Sequence, residues 1–202
     1  MDLAPTRRSR RLARFGESQS VSLVQTPRGV SQTTATEWLN LMEASYVLYR
    51  LKPWFANTGK RLVKRPKLYF YDTGVASFLL GLTAPDHVEN HPLRGALFEN
   101  SVINEVLKFD LHRDRMAELF FYRDSNGNEV DLLYRRGRIL VPMEIKSGQT
   151  VNRDYFKGIA HFRGHFKANA GAAIYAGGEA RERGGGHVLP CDEVPALLES
   201  LV

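Results

Sequence analysis

The stretch from Asn128 to Gly148, NEVDLLYRRGRILVPMEIKSG, leaves little freedom of local fold. Apolar and polar side chains alternate on both sides of a short turn at Arg135, Arg136 and Gly137, which reads as a β-hairpin. Side chains two apart share a face of a strand. In the first run Val130, Leu132 and Tyr134 point one way, and Glu129, Asp131 and Leu133 the other. In the second run Ile139, Val141, Met143 and Ile145 point one way, and Leu140, Pro142, Glu144 and Lys146 the other. Glu144 and Lys146 are then neighbours, and Asp131 joins them at the open end of the hairpin if the register agrees. Pro142 has no ladder donor, so the second strand is expected to bend, bulge or lie at an edge there.

A further acid reaches this region from a helix. In PLRGALFENSVINEVLKFD, which starts at Pro92, the residues Glu99, Val102, Ile103 and Val106 fall at i, i+3, i+4 and i+7. That stripe faces the core. A carboxylate on a buried stripe is costly unless it is paired or binds a metal. Three carboxylates close together repel, and a divalent cation compensates them. Oxygen ligands from Asp and Glu suit Mg²⁺ or Mn²⁺. A lysine beside such an ion can orient a water or help deprotonate it, which equips the group for phosphodiester hydrolysis. The alternative is a buried Glu99–Lys146 ion pair with no metal.

The surrounding pattern is an α/β arrangement. After the helix from Pro92 come ELFFYR as a strand, the hairpin, a helix from Asn152 to Phe162, AAIYAG as a strand and VPALLESLV as a closing helix. The Gly/Arg stretch GGEARERGGG reads as a flexible loop. Ahead of this unit, SQTTATEWLNLMEASYVLYRL has helical spacing from an N-cap at Ser31. GKRLVKRPKLYFYDTG then supplies two short β-like runs around Arg65 and Pro66. Asp72 caps a helix through Leu80 that stops at Gly81. Helix, hairpin and helix in a basic setting look like part of a winged helix over residues 20–82. Residues 1–19 read as a basic disordered tail, Thr83 to His91 as a linker, and residues 92–202 as the second domain.

Charge separates the same segments. The net charge of the 202-residue chain is +6. Residues 1–30 carry six Arg against two acids, residues 31–82 seven Lys/Arg against three acids, and the remainder fifteen against seventeen. A positive front end favours a polyanion, with nucleic acid as the expected partner; ordinary solvated charge is the alternative. The expected DNA contacts are Thr33 and Thr34 on the first helix, with Lys60, Arg61, Lys64, Arg65 and Lys67 around the hairpin. The single cysteine, Cys191, excludes an internal disulfide and a cysteine-rich zinc site. A reducing, cytoplasmic setting fits this composition. No apolar run approaches the roughly 20 residues that span a bilayer. The basic N-terminus lacks the apolar segment of a secretory signal.

An acid on the first helix, then D-(x)n-E-x-K on α-β-β-β-α-β, resembles the PD-(D/E)XK, restriction-endonuclease-like nuclease superfamily. More narrowly, PKLYFYDTG, HPLRGALFEN, FYRDSNGNEVDLL and PMEIKSG resemble the uncharacterised C-terminal domain of many bacterial and archaeal AAA-type ATPases. The similarity covers roughly Gly29 to Val188. It implies that Asp131 and Glu144 hold the metal with the backbone carbonyl of Ile145, that Lys146 orients the water, and that Glu99 acts through water. Lys157, on the next helix, would touch a phosphate. The resemblance also implies a preceding ATPase module, and no phosphate-binding loop is read in this sequence. WFANTGKR only echoes a phosphate-binding loop: Trp54 replaces the leading Gly and Arg61 the Ser/Thr. The chain is therefore expected to be a shortened relative without ATPase activity of its own, whose partners are DNA and an ATPase module or a second copy. A non-catalytic DNA- or protein-binding appendage is the alternative. His161 and His165, four apart, lack a third ligand and read as surface or packing residues, as do His87 and His91. Cys191 has no basic neighbour to make it a nucleophile. Tyr69, Phe70 and Tyr71 read as strand core and edge, or as a stacking surface for bases.

Overall fold

A computed structural model describes residues 30–54, 65–150, 153–183 and 186–201. The expected basic tail lies outside them. Helix α1 spans Gln32–Ala44, with Ser31 Oγ accepting from the Thr34 N–H at its N-cap. It ends at Ala44, short of Tyr46 and Val47, which the spacing places on the same helix. Tyr46 adopts φ 55°, and the chain turns into strand β1, Leu48–Pro53. Tyr49 and Leu51 are buried there, and Tyr49 stacks on Tyr69 across the strand pair, with ring centroids 5.8 Å apart. Aromatic cross-strand pairing of this kind outweighs weak helix propensity.

Strand β2, Lys67–Phe70, pairs antiparallel with β1. Asp72 Oδ1 then accepts from the Gly74 N–H and starts helix α2, Thr73–Leu79. The expected linker contains a short helix α3, Pro85–Glu89, with Pro at its first turn. Helix α4, Arg94–Leu111, leads to strands β3 (Glu118–Arg123), β4 (Glu129–Arg136) and β5 (Ile139–Lys146). A 3₁₀ turn, Arg153–Phe156, runs into helix α5, Lys157–Arg163. Strands β6 (Ala172–Tyr175), β7 (Arg181–Arg183) and β8 (Gly186–Pro190) precede helix α6, Val194–Glu199. The expected Gly/Arg loop thus holds β7, paired antiparallel with β8.

These strands form one mixed eight-stranded sheet in the order β2-β1-β3-β4-β5-β6-β8-β7, with six α-helices among the described residues. The β1–β3, β5–β6 and β6–β8 pairs are parallel and the rest antiparallel. Of the two β-like runs expected as a wing around Arg65 and Pro66, the first lies outside the described residues and the second is β2, which with β1 extends the sheet of the second unit. Val102, Ile103, Val106 and Phe109 of α4, with Val194 and Leu198 of α6, pack on Leu132, Tyr134, Met143 and Ile145. A second cluster joins Phe162 of α5 to Tyr122, Val130, Leu133 and Leu140. Each such side chain contributes about 1.5–3 kcal/mol on full burial.

The amides of α4 fasten it to the edge strand. Asn100 Nδ2 donates to the Phe70 carbonyl at 2.8 Å, and the Phe70 N–H donates to Asn100 Oδ1 at 2.9 Å. Asn104 Nδ2 donates to the carbonyls of Phe70 and Tyr71, while Tyr49 Oη donates to Asn104 Oδ1. These buried amides satisfy backbone groups of the outermost strand. They also set β2 beside Glu99.

Candidate functional site

The hairpin supports the site through an irregularity. Between the pairs Phe120↔Leu133 and Tyr122↔Val130, β3 advances two residues and β4 three. The extra residue bulges β4 at Asp131–Leu132, and such a bulge re-aims side chains. The simple alternation fails at this point. Val130, expected on the face of Leu132 and Tyr134, packs instead with Leu133 and Phe162. The β4–β5 ladder runs from Arg136↔Ile139 to Leu132↔Met143, with Pro142 inside it opposite Leu133. Beyond Met143, Asp131 Oδ2 accepts from the Ile145 N–H at 2.8 Å. A side-chain carboxylate takes the place of a backbone carbonyl, and the two strands fork around it. In an extended strand, N–H and C=O of one residue project to the same edge. The Ile145 carbonyl therefore faces the fork as well.

Asp131, Glu144 and Lys146 meet at this fork. Lys146 Nζ lies 2.6 Å from Glu144 Oε1 and 3.5 Å from Asp131 Oδ2. Glu144 Oε2 is buried and has no hydrogen-bond partner among the described residues. Burial, then the Asp131 charge, push the Glu144 carboxyl up to about 7, against the pull of Lys146. Burial lowers the Lys146 ammonium, but Asp131 and Glu144 outweigh it and hold it above its ordinary value. Gly158, at the start of α5, packs closely here. A Cβ at that position would stand 2.0 Å from the Glu129 carbonyl and 3.5 Å from Glu144 Oε2.

Glu99 is held by different partners from those expected. The Glu99–Lys146 pair is not formed. Glu99 Oε1 instead accepts from Lys67 Nζ at 3.1 Å and from the Tyr69 hydroxyl. Lys67 Nζ also lies 2.7 Å from Glu129 Oε1 and 5.3 Å from the centre of the Phe121 ring. Burial raises the Glu99 carboxyl, Lys67 opposes this, and Asp131 adds to it, leaving it above the ordinary range. Lys67, read as a DNA contact on a wing, has a side chain only 12% exposed and turned toward these acids. The spacing of α4 identified Glu99. Lys67 and Tyr69 were missed as members of the site, because PKLYFYDTG has no periodic cue to its distant partners, and Glu129 was missed because its partner Lys67 was.

Of the other expected DNA contacts, Thr33 is exposed on α1, and Arg65 is exposed just before β2. Thr34 is half-buried and serves the N-cap, its Oγ1 2.9 Å from Ser31 Oγ. Lys60, Arg61 and Lys64 lie outside the described residues. Lys157 pairs with Asp154 at the surface. The His161 and His165 rings lie tilted at 42° with centroids 4.5 Å apart, and His161 Nε2 lies 3.0 Å from Asp124 Oδ2. Asp124 closes the β3–β4 turn: Oδ1 accepts from the N–H groups of Asn126 and Asn128, and Oδ2 from Asn128 Nδ2.

Among the described residues, no three His, Cys, Asp or Glu side chains converge to hold a metal ion. The available donors are two carboxylates and a carbonyl. They fit an ion that keeps several water ligands, such as Mg²⁺ or Mn²⁺, and not a structural zinc. Glu144 Oε2 is the atom of this group left without a hydrogen-bond partner among the described residues.

A family model described as "Domain of unknown function (DUF4143)" matches residues 94–194, half of the chain. The chain belongs to the DUF4143 family. A second model, "Domain of unknown function (DUF8612)", matches residues 6–86. The DUF4143 match contains Glu99, Glu129, Asp131, Glu144 and Lys146, whereas Lys67 and Tyr69 fall in the other. Two uncharacterized proteins, from Mycobacterium bovis and Mycobacterium tuberculosis, are each 33% identical over 121 residues. That is 60% of this chain and 26% of each relative, so the chain spans about a quarter of the length of the curated relatives it matches. No described helix is long and apolar enough to cross a membrane.

Proposed function

We propose that this DUF4143 chain is a DNA-binding protein with a nuclease-type divalent-cation site, at which a phosphodiester bond is hydrolysed. The observation that carries this reading is the buried, partnerless Glu144 Oε2 beside Asp131 at the fork of β4 and β5. Asp131, Glu144 and the Ile145 carbonyl would hold Mg²⁺ or Mn²⁺. When bound, the ion supplies Lewis-acid polarisation of a phosphate oxygen and lowers the pKa of a bound water. Lys146, anchored on Glu144, is placed to orient the attacking water and to neutralise charge on the phosphate. The water oxygen would form the new bond to phosphorus as the bond to the leaving oxygen breaks; the proton lost by the water passes to solvent, and the leaving oxygen takes one from solvent to become a hydroxyl. The Ile145 N–H holds Asp131 in place, and the Lys67–Tyr69 pair holds Glu99. The positive balance of residues 1–82 would draw the DNA.

A non-catalytic appendage is the second reading. It is favoured by Lys146, whose ammonium already neutralises both carboxylates. Incubating the chain with Mn²⁺ and linear, flapped or branched DNA separates the two. Cleavage that Lys146→Ala removes, with Mn²⁺ binding retained, supports the nuclease. Metal binding with every substrate left intact supports the appendage.

A further inference from the structure

Four carboxylates face this end of the sheet, and each pair of them is bridged by one lysine. Lys146 bridges Asp131 and Glu144, and its side chain is 39% exposed. Lys67 bridges Glu99 and Glu129, and its side chain is 12% exposed. The difference in setting is physical. Lys146 sits near the end of β5, where a flexible ammonium stem can swing out and yield its place. Lys67 lies on an edge strand that Asn100 and Asn104 clamp to α4. Its ammonium rests near the Phe121 ring, and the Tyr69 hydroxyl donates to the same Glu99 oxygen. Removing one charge from such a sheltered group strands the others, which costs far more than a surface pair.

We infer that Lys67 is a built-in cation, filling the position between Glu99 and Glu129 that a second divalent ion would otherwise take. The inference deepens the proposed function and rests on it only for the first ion, at Asp131 and Glu144. Metal-dependent phosphodiesterases commonly use two ions about 3.5–4 Å apart. Here one of the two positive charges belongs to the protein. It comes from the segment matched by the second family model, so the site is incomplete without β2.

The test counts Mn²⁺ ions bound per full-length chain, from the resonance signal of free Mn²⁺, for wild type, Lys67→Met and Lys67→Arg. Lys67→Met is expected to bind one ion more than wild type, and Glu99→Gln in that background to remove it. Lys67→Arg, which keeps the charge, should bind the wild-type number. Lys67→Met should also gain more in Tm from Mn²⁺ than wild type does. A wild-type count of two, or no added ion in Lys67→Met, overturns the inference. A variant that folds neither with nor without Mn²⁺ overturns it equally, since the ion would then not replace the ammonium. A wild-type count of zero with one ion gained in Lys67→Met supports the role of Lys67 and defeats the site at Asp131 and Glu144.

Discussion

At the scale of residues, the site depends on side chains that do backbone work. Asp131 bonds a strand N–H, Asn100 pairs with Phe70, and Asp124 closes the β3–β4 turn. Asp124 yields a prediction with a definite sign. Burial pushes its carboxyl up, but the Asn128 side chain, the Asn128 and Asn126 N–H groups and nearby His161 outweigh burial and lower it. A carboxyl depressed in the fold stabilises above its unfolded pKa, about 3.9 for aspartate. That stabilisation is lost as pH falls through the lower folded value. Asp124→Asn should therefore destabilise at neutral pH by about 1–3 kcal/mol. It should also flatten the fall in stability below about pH 4. Urea unfolding across pH reads both, and an unchanged acid limb would count against this role. How much of the site the sequence revealed also depends on the residue. The period of two joined Glu144 to Lys146, and the helical stripe marked Glu99. Lys67 and Glu99 are far apart in sequence, and no local period reports a contact of that kind.

At the scale of elements, β2 is the unexpected participant. Helix, strand and turn cues located α2, α4, β3, β4 and β5 from their own residues. The pairing of β1 with β2 and β3 is non-local, and the end of α1 is decided by burial of Tyr49 and Leu51 in the sheet. The clamp between α4 and β2 is testable. Asn100→Ala leaves the Phe70 N–H without its side-chain acceptor, while the Phe70 carbonyl keeps only Asn104 as a side-chain donor. It should cost about 1–3 kcal/mol. Amide exchange should quicken at Phe70 before it does in β4. Uniform protection across β2 in that variant would show that the amide does not hold the strand. The bulge in β4 was invisible beforehand because one extra residue changes the facing of Val130 without altering the composition of the run.

At the scale of the whole molecule, the two matched segments share one sheet and one cluster of charges. The proposed DNA binding is motivated by the positive front end of the sequence. Affinity for a duplex should fall with salt at a log–log slope of about −0.9 per phosphate contact. Charge reversal at Lys64 and Arg65 should flatten that slope by about one or two units. Affinity indifferent to salt would remove this surface from consideration. The central claim is a divalent cation at the fork of the hairpin, and Mn²⁺ calorimetry on wild type and Asp131→Ala tests it most directly. Wild type should bind one ion, and Asp131→Ala should lose it while remaining folded. Wild type that binds no ion, or Asp131→Ala that binds as well as wild type, would contradict it.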